Sequence, residues 1–101
     1  MTYLDDLAAE IQTEIPEYAL PNGPTRSLFV AYAALALSKG TATEASDVHD
    51  AWVVWMIEQG EEHESMVPFD QLDPAIQRED YAYVDAIRRV AARHENDSGE
   101  I

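Results

Sequence analysis

His49 and His63 are the residues of the central chain whose side chains could bind a transition metal, and acidic residues lie beside both. Asp50 follows His49, while Glu62 and Glu64 flank His63, so imidazole and carboxylate ligands are available. However, the spacing matches no HExxH-type motif, and the set would span a helix and a loop. We therefore predict no metal site, a packed or capping role for His49, and an exposed position for His63.

Groups for covalent or acid–base catalysis are equally hard to find. The chain has no cysteine and only four glycines, with neither a GxSxG motif nor a glycine-rich phosphate loop. Carboxylates occur in pairs, but twenty acidic residues produce pairs by chance. We predict no catalytic residue, no enzyme activity and no cofactor.

The charge balance narrows the classes of partner. Six basic and twenty acidic residues give a net charge of −14, which repels phosphate backbones and anionic lipid and favours basic partners. We therefore expect no direct binding of nucleic acid and none of membranes. The absence of cysteine and the acidic start of the chain, without a signal-like basic segment, fit a cytoplasmic protein.

The elements that position these residues are helical. Apolar residues recur at helical spacing in four segments, and no strand pattern exceeds a few residues. The sequence predicts one compact all-α domain over residues 1–94 and a flexible acidic tail over 95–101. Val67-Pro68-Phe69 is expected to be extended before the last helix. The predicted helices cover residues 3–15, 25–39, 44–59 and 74–94.

The second predicted helix contains the longest uncharged apolar run, residues 28–37. Ten residues are about half of what a bilayer span needs, so we expect a buried core helix. Because this helix is apolar nearly all round, it needs cover on more than one side. Four short helices could leave part of it bare, so a homo-oligomer is also an open prediction.

The third predicted helix has an apolar arc, in which Trp52 and Trp55 are expected to be core residues, and an acidic side. This acidic side either is simply solvated or binds a protein that is basic or binds DNA. In the second case, its carboxylates could imitate DNA phosphates and inhibit a DNA-binding protein. We name the predicted partner-binding residues the acidic α3 surface: Asp47, Asp50, Val54, Glu58, Glu61 and Glu62.

The central stretch, residues 47–87, contains in this order His49-x-x-Trp52, Val67-Pro68-Phe69, Leu72, Asp80 and Ile87. With this set of residues it resembles the RyR domain, which is named after repeats of the ryanodine receptor. It also looks like small proteins of actinobacteria and their phages, which suggests a phage-encoded protein in the host cytoplasm.

The resemblance implies a helical interaction module. In the receptors one such domain contributes to adenine-nucleotide binding, and bacterial copies are proposed to sense nucleotide-like ligands. The sequence thus favours a small acidic, non-enzymatic binding module that engages a host or phage protein through the acidic α3 surface. The alternative is a nucleotide or small-ligand sensor of the RyR-domain type. In this alternative, His49 and Trp52 line the site and Arg78 contacts an anionic group.

Overall fold

The structure is a computed structural model that describes residues 2–99, with side chains as far as Glu95. Short 3₁₀ turns occupy several connections, and no strand occurs within the described residues. The predicted all-α fold class is confirmed. The α-helices are α1 (Tyr3–Thr13), α2 (Arg26–Ser38), α3 (Ala45–Glu58), α4 (Pro74–Gln77) and α5 (Tyr81–Gly99).

The predicted fourth helix is present as two pieces, α4 and α5, joined by the 3₁₀ turn Arg78–Asp80. Pro74 occupies the first turn of α4, as expected after Asp73. The Gln77 side chain donates a hydrogen bond to the Phe69 carbonyl oxygen at 3.0 Å, which holds the end of α4 against the preceding segment. Tyr81 then starts α5.

The end of α5 lies beyond the predicted limit at His94. The helix continues to Gly99 because no proline or glycine interrupts the chain between Tyr81 and Ser98. Residues 95–99 of the predicted tail are therefore helical. Residues 100 and 101 lie outside the described residues, and flexibility of the tail stays a prediction.

The segment before α4 is extended for a shorter distance than predicted. Pro68 has extended backbone angles, φ −54° and ψ 144°, but Phe69 already begins the 3₁₀ turn Phe69–Gln71. Leu72 is buried and Phe69 is half-buried, with its ring 6.1 Å from the His49 ring between centroids.

Helix α2 forms the centre of the core. It packs against α1, α3 and α5, which together supply the cover on several sides that its apolar sequence requires. Phe29 and Tyr32 are almost fully buried on it and pack edge to face, with ring centroids 5.4 Å apart. Within residues 2–99, none of the helices combines the length and apolar character of a membrane span.

Candidate functional site

A pocket of about 580 Å³ lies where α2, α3 and the α4–α5 junction meet. Its volume falls in the range of small-molecule sites, which is about 300–1,000 Å³. Helix α2 contributes Tyr32, and the connector after α1 contributes the almost fully exposed Tyr18. The lining of the pocket also includes His49, Trp52, His63, Arg78, Glu79, Asp80 and Tyr83.

His49 holds the wall of the pocket in place. The side chain is only 3% exposed, and its Nε2 atom lies 2.7 Å from the Val67 carbonyl oxygen. Because a carbonyl oxygen only accepts, Nε2 carries the proton and donates it. His49 therefore fastens α3 to the segment before α4. The prediction of a packed histidine is confirmed.

Trp52 presents a partly exposed aromatic surface one turn beyond His49. The two rings stack with centroids 5.7 Å apart and an interplanar angle of 28°. The His63 ring meets the Trp52 ring edge to face, with centroids 5.6 Å apart. Trp52 packs against the core but is only half-buried, so the expectation that it is a core residue holds for part of its surface alone.

Asp80 is the acidic group most withdrawn into this wall. Its side chain is 17% exposed, and one carboxylate oxygen lies 4.0 Å from Nδ1 of His49, which is too long for a hydrogen bond. No side chain or backbone group among the described residues donates a hydrogen bond to the Asp80 carboxylate. Burial raises the pKa of Asp80 to about 6, while His49 lowers it and Glu79 raises it.

Tyr32 and Tyr83 form the aromatic base of the pocket, with ring centroids 5.5 Å apart. The Tyr83 hydroxyl donates to the Ala19 carbonyl oxygen, which ties α5 to the connector after α1. Burial, reinforced by the charge of Asp80, raises the pKa of Tyr83 to about 12. Burial also raises the pKa of Tyr32 well above its ordinary value, with smaller contributions from Tyr83 and Asp80.

The structure brings together the three residues of the predicted ligand site. His49, Trp52 and Arg78 all line the same pocket, although they come from α3 and the turn after α4. Arg78 is exposed, so its guanidinium is free to move at the pocket surface. The predicted juxtaposition is therefore present, while ligand binding itself stays a prediction.

Three further lining residues were missed by the sequence reasoning as site residues. Asp80 is one of the residues that carry the resemblance, but nothing in the sequence distinguishes this half-buried acid from the other nineteen acidic residues. Tyr32 lies in the uncharged run of α2 and looked like simple packing. Tyr83 is buried on α5, but its hydroxyl bond and its contact with the pocket depend on the tertiary fold.

One residue of the acidic α3 surface is held by contacts within the domain, and the other five are exposed to solvent. Asp47 lies 2.8 Å from the Lys39 ammonium, and its carboxylate also accepts the Glu44 backbone N–H at 2.8 Å. It therefore caps α3. Asp50, Val54 and Glu58 are exposed at successive helical turns, and Glu61 and Glu62 are exposed in the loop that follows.

The side chains considered as metal ligands do not come together at one point within the described residues. Within the described part of the chain, no group of three or more histidine, aspartate or glutamate side chains could hold a metal ion. His63 is exposed as predicted, and its Nδ1 accepts the Ser65 backbone N–H at 3.0 Å.

These features define a small all-α domain with an aromatic pocket and an acidic outer surface. The chain belongs to the family described as Domain of unknown function (DUF7701), whose model matches residues 2–92. No curated protein and no solved structure matches the chain. The resemblance to the RyR domain and an actinobacterial or phage origin stay predictions.

Proposed function

We propose that the domain is a non-enzymatic binding module whose pocket takes a small planar organic ligand. This proposal rests on one observation: Trp52, Tyr32 and Asp80 line the same cavity, which has a volume of about 580 Å³. Aromatic walls with a few convergent polar groups are typical of small-molecule sites. A flat ligand would bury the accessible part of the Trp52 ring.

Binding rather than catalysis is favoured by the way the ionisable groups are used. His49 already donates to a backbone carbonyl, and its second ring nitrogen lies 4.0 Å from Asp80, so the two side chains make no hydrogen bond. A raised pKa in a cleft is also found at binding sites and structural sites, so Asp80 alone does not indicate a reaction. We propose that Asp80 recognises a ligand group instead.

The resemblance to the RyR domain supports the same proposal. Two of the residues that carry it, His49 and Asp80, lie together in the pocket wall. The sensor role that the resemblance implies needs an accessible pocket of this kind. On this view the domain reports the presence of a small ligand to another protein in a phage-infected cell.

A thermal-denaturation panel tests the proposal directly. Nucleosides, nucleotides, aromatic amines, aromatic amidines and aromatic acids would each be added to the purified domain. A ligand at a hundred times its dissociation constant should raise the free energy of unfolding by about 2.7 kcal/mol. The stabilisation should be lost in Trp52→Ala and kept in Val54→Ala, a control on the exposed side of α3. If no class of compound stabilises the domain, the proposal is wrong.

A second candidate function is the binding of a basic protein by the acidic α3 surface. Val54 and Ile57 are 55% and 63% exposed and lie one turn apart on α3. Asp50 and Glu58 neighbour them, so a small apolar centre has an acidic rim. Protein interfaces commonly combine these two features. Inhibition of a DNA-binding protein by mimicry is the sharper form of this candidate.

Charge neutralisation separates this candidate from a merely solvated surface. The triple variant Glu58→Gln, Glu61→Gln, Glu62→Gln should lose a protein partner captured at low salt. A control triple variant, Asp6→Asn, Glu17→Gln, Asp85→Asn, removes the same number of exposed charges elsewhere and should retain it. Release by competing duplex DNA would support mimicry. Equal retention by both variants would contradict a role for the acidic α3 surface.

A further inference from the structure

The pocket contains two polar groups whose hydrogen-bonding capacity is unused within the described structure. The Asp80 carboxylate receives no donor, and the hydroxyl of Tyr32 makes no hydrogen bond to a described residue, although Tyr32 is only 2% exposed. No buried side-chain nitrogen or oxygen of the described residues lacks a hydrogen-bond partner, so the free oxygens of Asp80 and Tyr32 are reached by water and are open to a ligand that enters the pocket. A ligand that donates hydrogen bonds would satisfy the carboxylate.

The charges around the pocket favour a cationic ligand. The carboxylates of Asp80 and Glu79 line it together with one permanent cation, Arg78. The whole chain carries a net charge of −14. The two carboxylates and the net negative charge of the chain would repel a phosphate group, whereas they would attract a cation.

The shape of the wall favours a flat cation. His49 contacts both the Trp52 ring, at a centroid distance of 5.7 Å, and the Asp80 carboxylate, at 4.0 Å. Trp52 and Asp80 therefore both line the pocket beside His49, which covers one face of the indole and leaves the other for a ligand. Planar guanidinium groups stack on aromatic faces and donate paired hydrogen bonds to carboxylates.

We infer that the pocket binds a planar amidinium or guanidinium group that stacks on Trp52 and donates hydrogen bonds to Asp80. This inference rests on the proposed function and specifies its ligand class. The group belongs either to a free small molecule or to an arginine side chain of a peptide. Tyr18, which is 92% exposed beside the pocket, is placed to cover the ligand from the open side.

The protonation of Asp80 makes this recognition dependent on pH. Because its pKa is raised to about 6, Asp80 is mostly ionised at pH 7.5 and mostly neutral at pH 5. A neutral carboxyl group loses its charge-assisted hydrogen bonds, so affinity for the cation should fall about tenfold over this interval. The titratable and charged groups that surround Asp80 or line the same pocket are Tyr32, His49, His63, Arg78, Glu79 and Tyr83.

Isothermal titration calorimetry with two compounds of the same shape tests the inference. Benzamidine is a planar cation with paired N–H donors, and benzamide is its neutral counterpart. Benzamidine should bind at least tenfold more tightly than benzamide at pH 7.5 and should weaken about tenfold at pH 5. Asp80→Asn should remove this preference. Asp85→Asn changes an exposed acid on α5 and should leave the dissociation constant within about twofold.

Two arginine derivatives distinguish the sources of the group. Nα-acetyl-arginine methylamide represents a peptide side chain, and agmatine represents a free guanidinium compound. Preference for either supports the inference and identifies the source. Equal binding of benzamide and benzamidine, or an unchanged affinity in Asp80→Asn, overturns it. If nucleosides bind and cations do not, the proposed function stands and this inference fails. If nothing binds, both fail.

Discussion

Nδ1 of His49 lies 4.0 Å from an oxygen of the Asp80 carboxylate within the wall of the pocket. The opposite ring nitrogen is bonded to the Val67 carbonyl oxygen at 2.7 Å. His49 therefore connects the segment before α4 with the turn after it, and Asp80 remains without a hydrogen-bond donor among the described residues. His49 therefore holds the fold together, whereas the Asp80 carboxylate stays available to a ligand in the pocket.

Asp80→Asn is expected to stabilise the unliganded domain at neutral pH. The pKa of Asp80 is raised from 3.8 to about 6, so between these values the folded state binds more protons than the unfolded state. Stability due to this group therefore falls as pH rises through the interval. Removing the charge should raise the free energy of unfolding at pH 7.5 by about 1–2 kcal/mol, after allowance for solvent screening.

Urea unfolding at pH 4, 5, 6 and 7.5 measures this difference between the wild type and Asp80→Asn. The difference should be close to zero at pH 4 and largest at pH 7.5. Asp85→Asn, at an exposed position of α5, should change the free energy of unfolding by less than about 0.5 kcal/mol at each pH. A destabilised Asp80→Asn variant at pH 7.5 would show that the ionised carboxylate is satisfied in solution.

His49→Ala should destabilise the domain strongly. The substitution removes the donor to the Val67 carbonyl and leaves a cavity between α3 and the chain before α4. Together these effects should lower the free energy of unfolding by about 2–4 kcal/mol. His63→Ala is the comparison, because this exposed ring contacts only Trp52 and the Ser65 backbone N–H and should contribute about 1 kcal/mol or less. Similar unfolding midpoints for the two variants would contradict the anchoring role of His49.

The sequence predicted the helices because the spacing of apolar residues is a local property. It could not predict the 3₁₀ turn Arg78–Asp80, since Asp73-Pro74 signals a helix start and nothing further along signals an interruption. That turn brings Asp80 to His49. The sequence placed His49 and Trp52 at a candidate site, but only the packing of α2 and α5 around them adds Tyr32 to it.

The two tryptophans should respond differently to truncation. Trp55 is 8% exposed, and its indole N–H donates to the Pro24 carbonyl oxygen at 3.2 Å, so Trp55→Ala should lower the free energy of unfolding by about 3–5 kcal/mol. A core position was expected for Trp52 as well. Because the Trp52 ring is partly exposed, Trp52→Ala should lower the free energy of unfolding by less, about 2–3 kcal/mol, and give a folded variant. Urea denaturation, monitored by far-UV circular dichroism, measures the free energy of unfolding of both variants. Equal losses would show that Trp52 contributes to the core as much as Trp55 does.

Gly60 controls where α3 ends and thus where the loop carrying His63 begins. Its φ angle is +72°, and the Glu61 backbone N–H donates to the Met56 carbonyl oxygen at 3.0 Å, which is the long hydrogen bond of a Schellman motif. An added Cβ would meet no other atom within 4 Å, so any destabilisation must come from the backbone conformation.

Gly60→Ala should therefore lower the free energy of unfolding by about 1 kcal/mol, and Gly60→Asn by less, because asparagine tolerates this conformation better. If Gly60 also positions the loop, Gly60→Ala should change the NMR signals of the His63 and Trp52 rings, which are in edge-to-face contact. Gly60→Asn should preserve those signals. Equal destabilisation by the two substitutions would point to a lost loop contact rather than to the left-handed backbone as the cause.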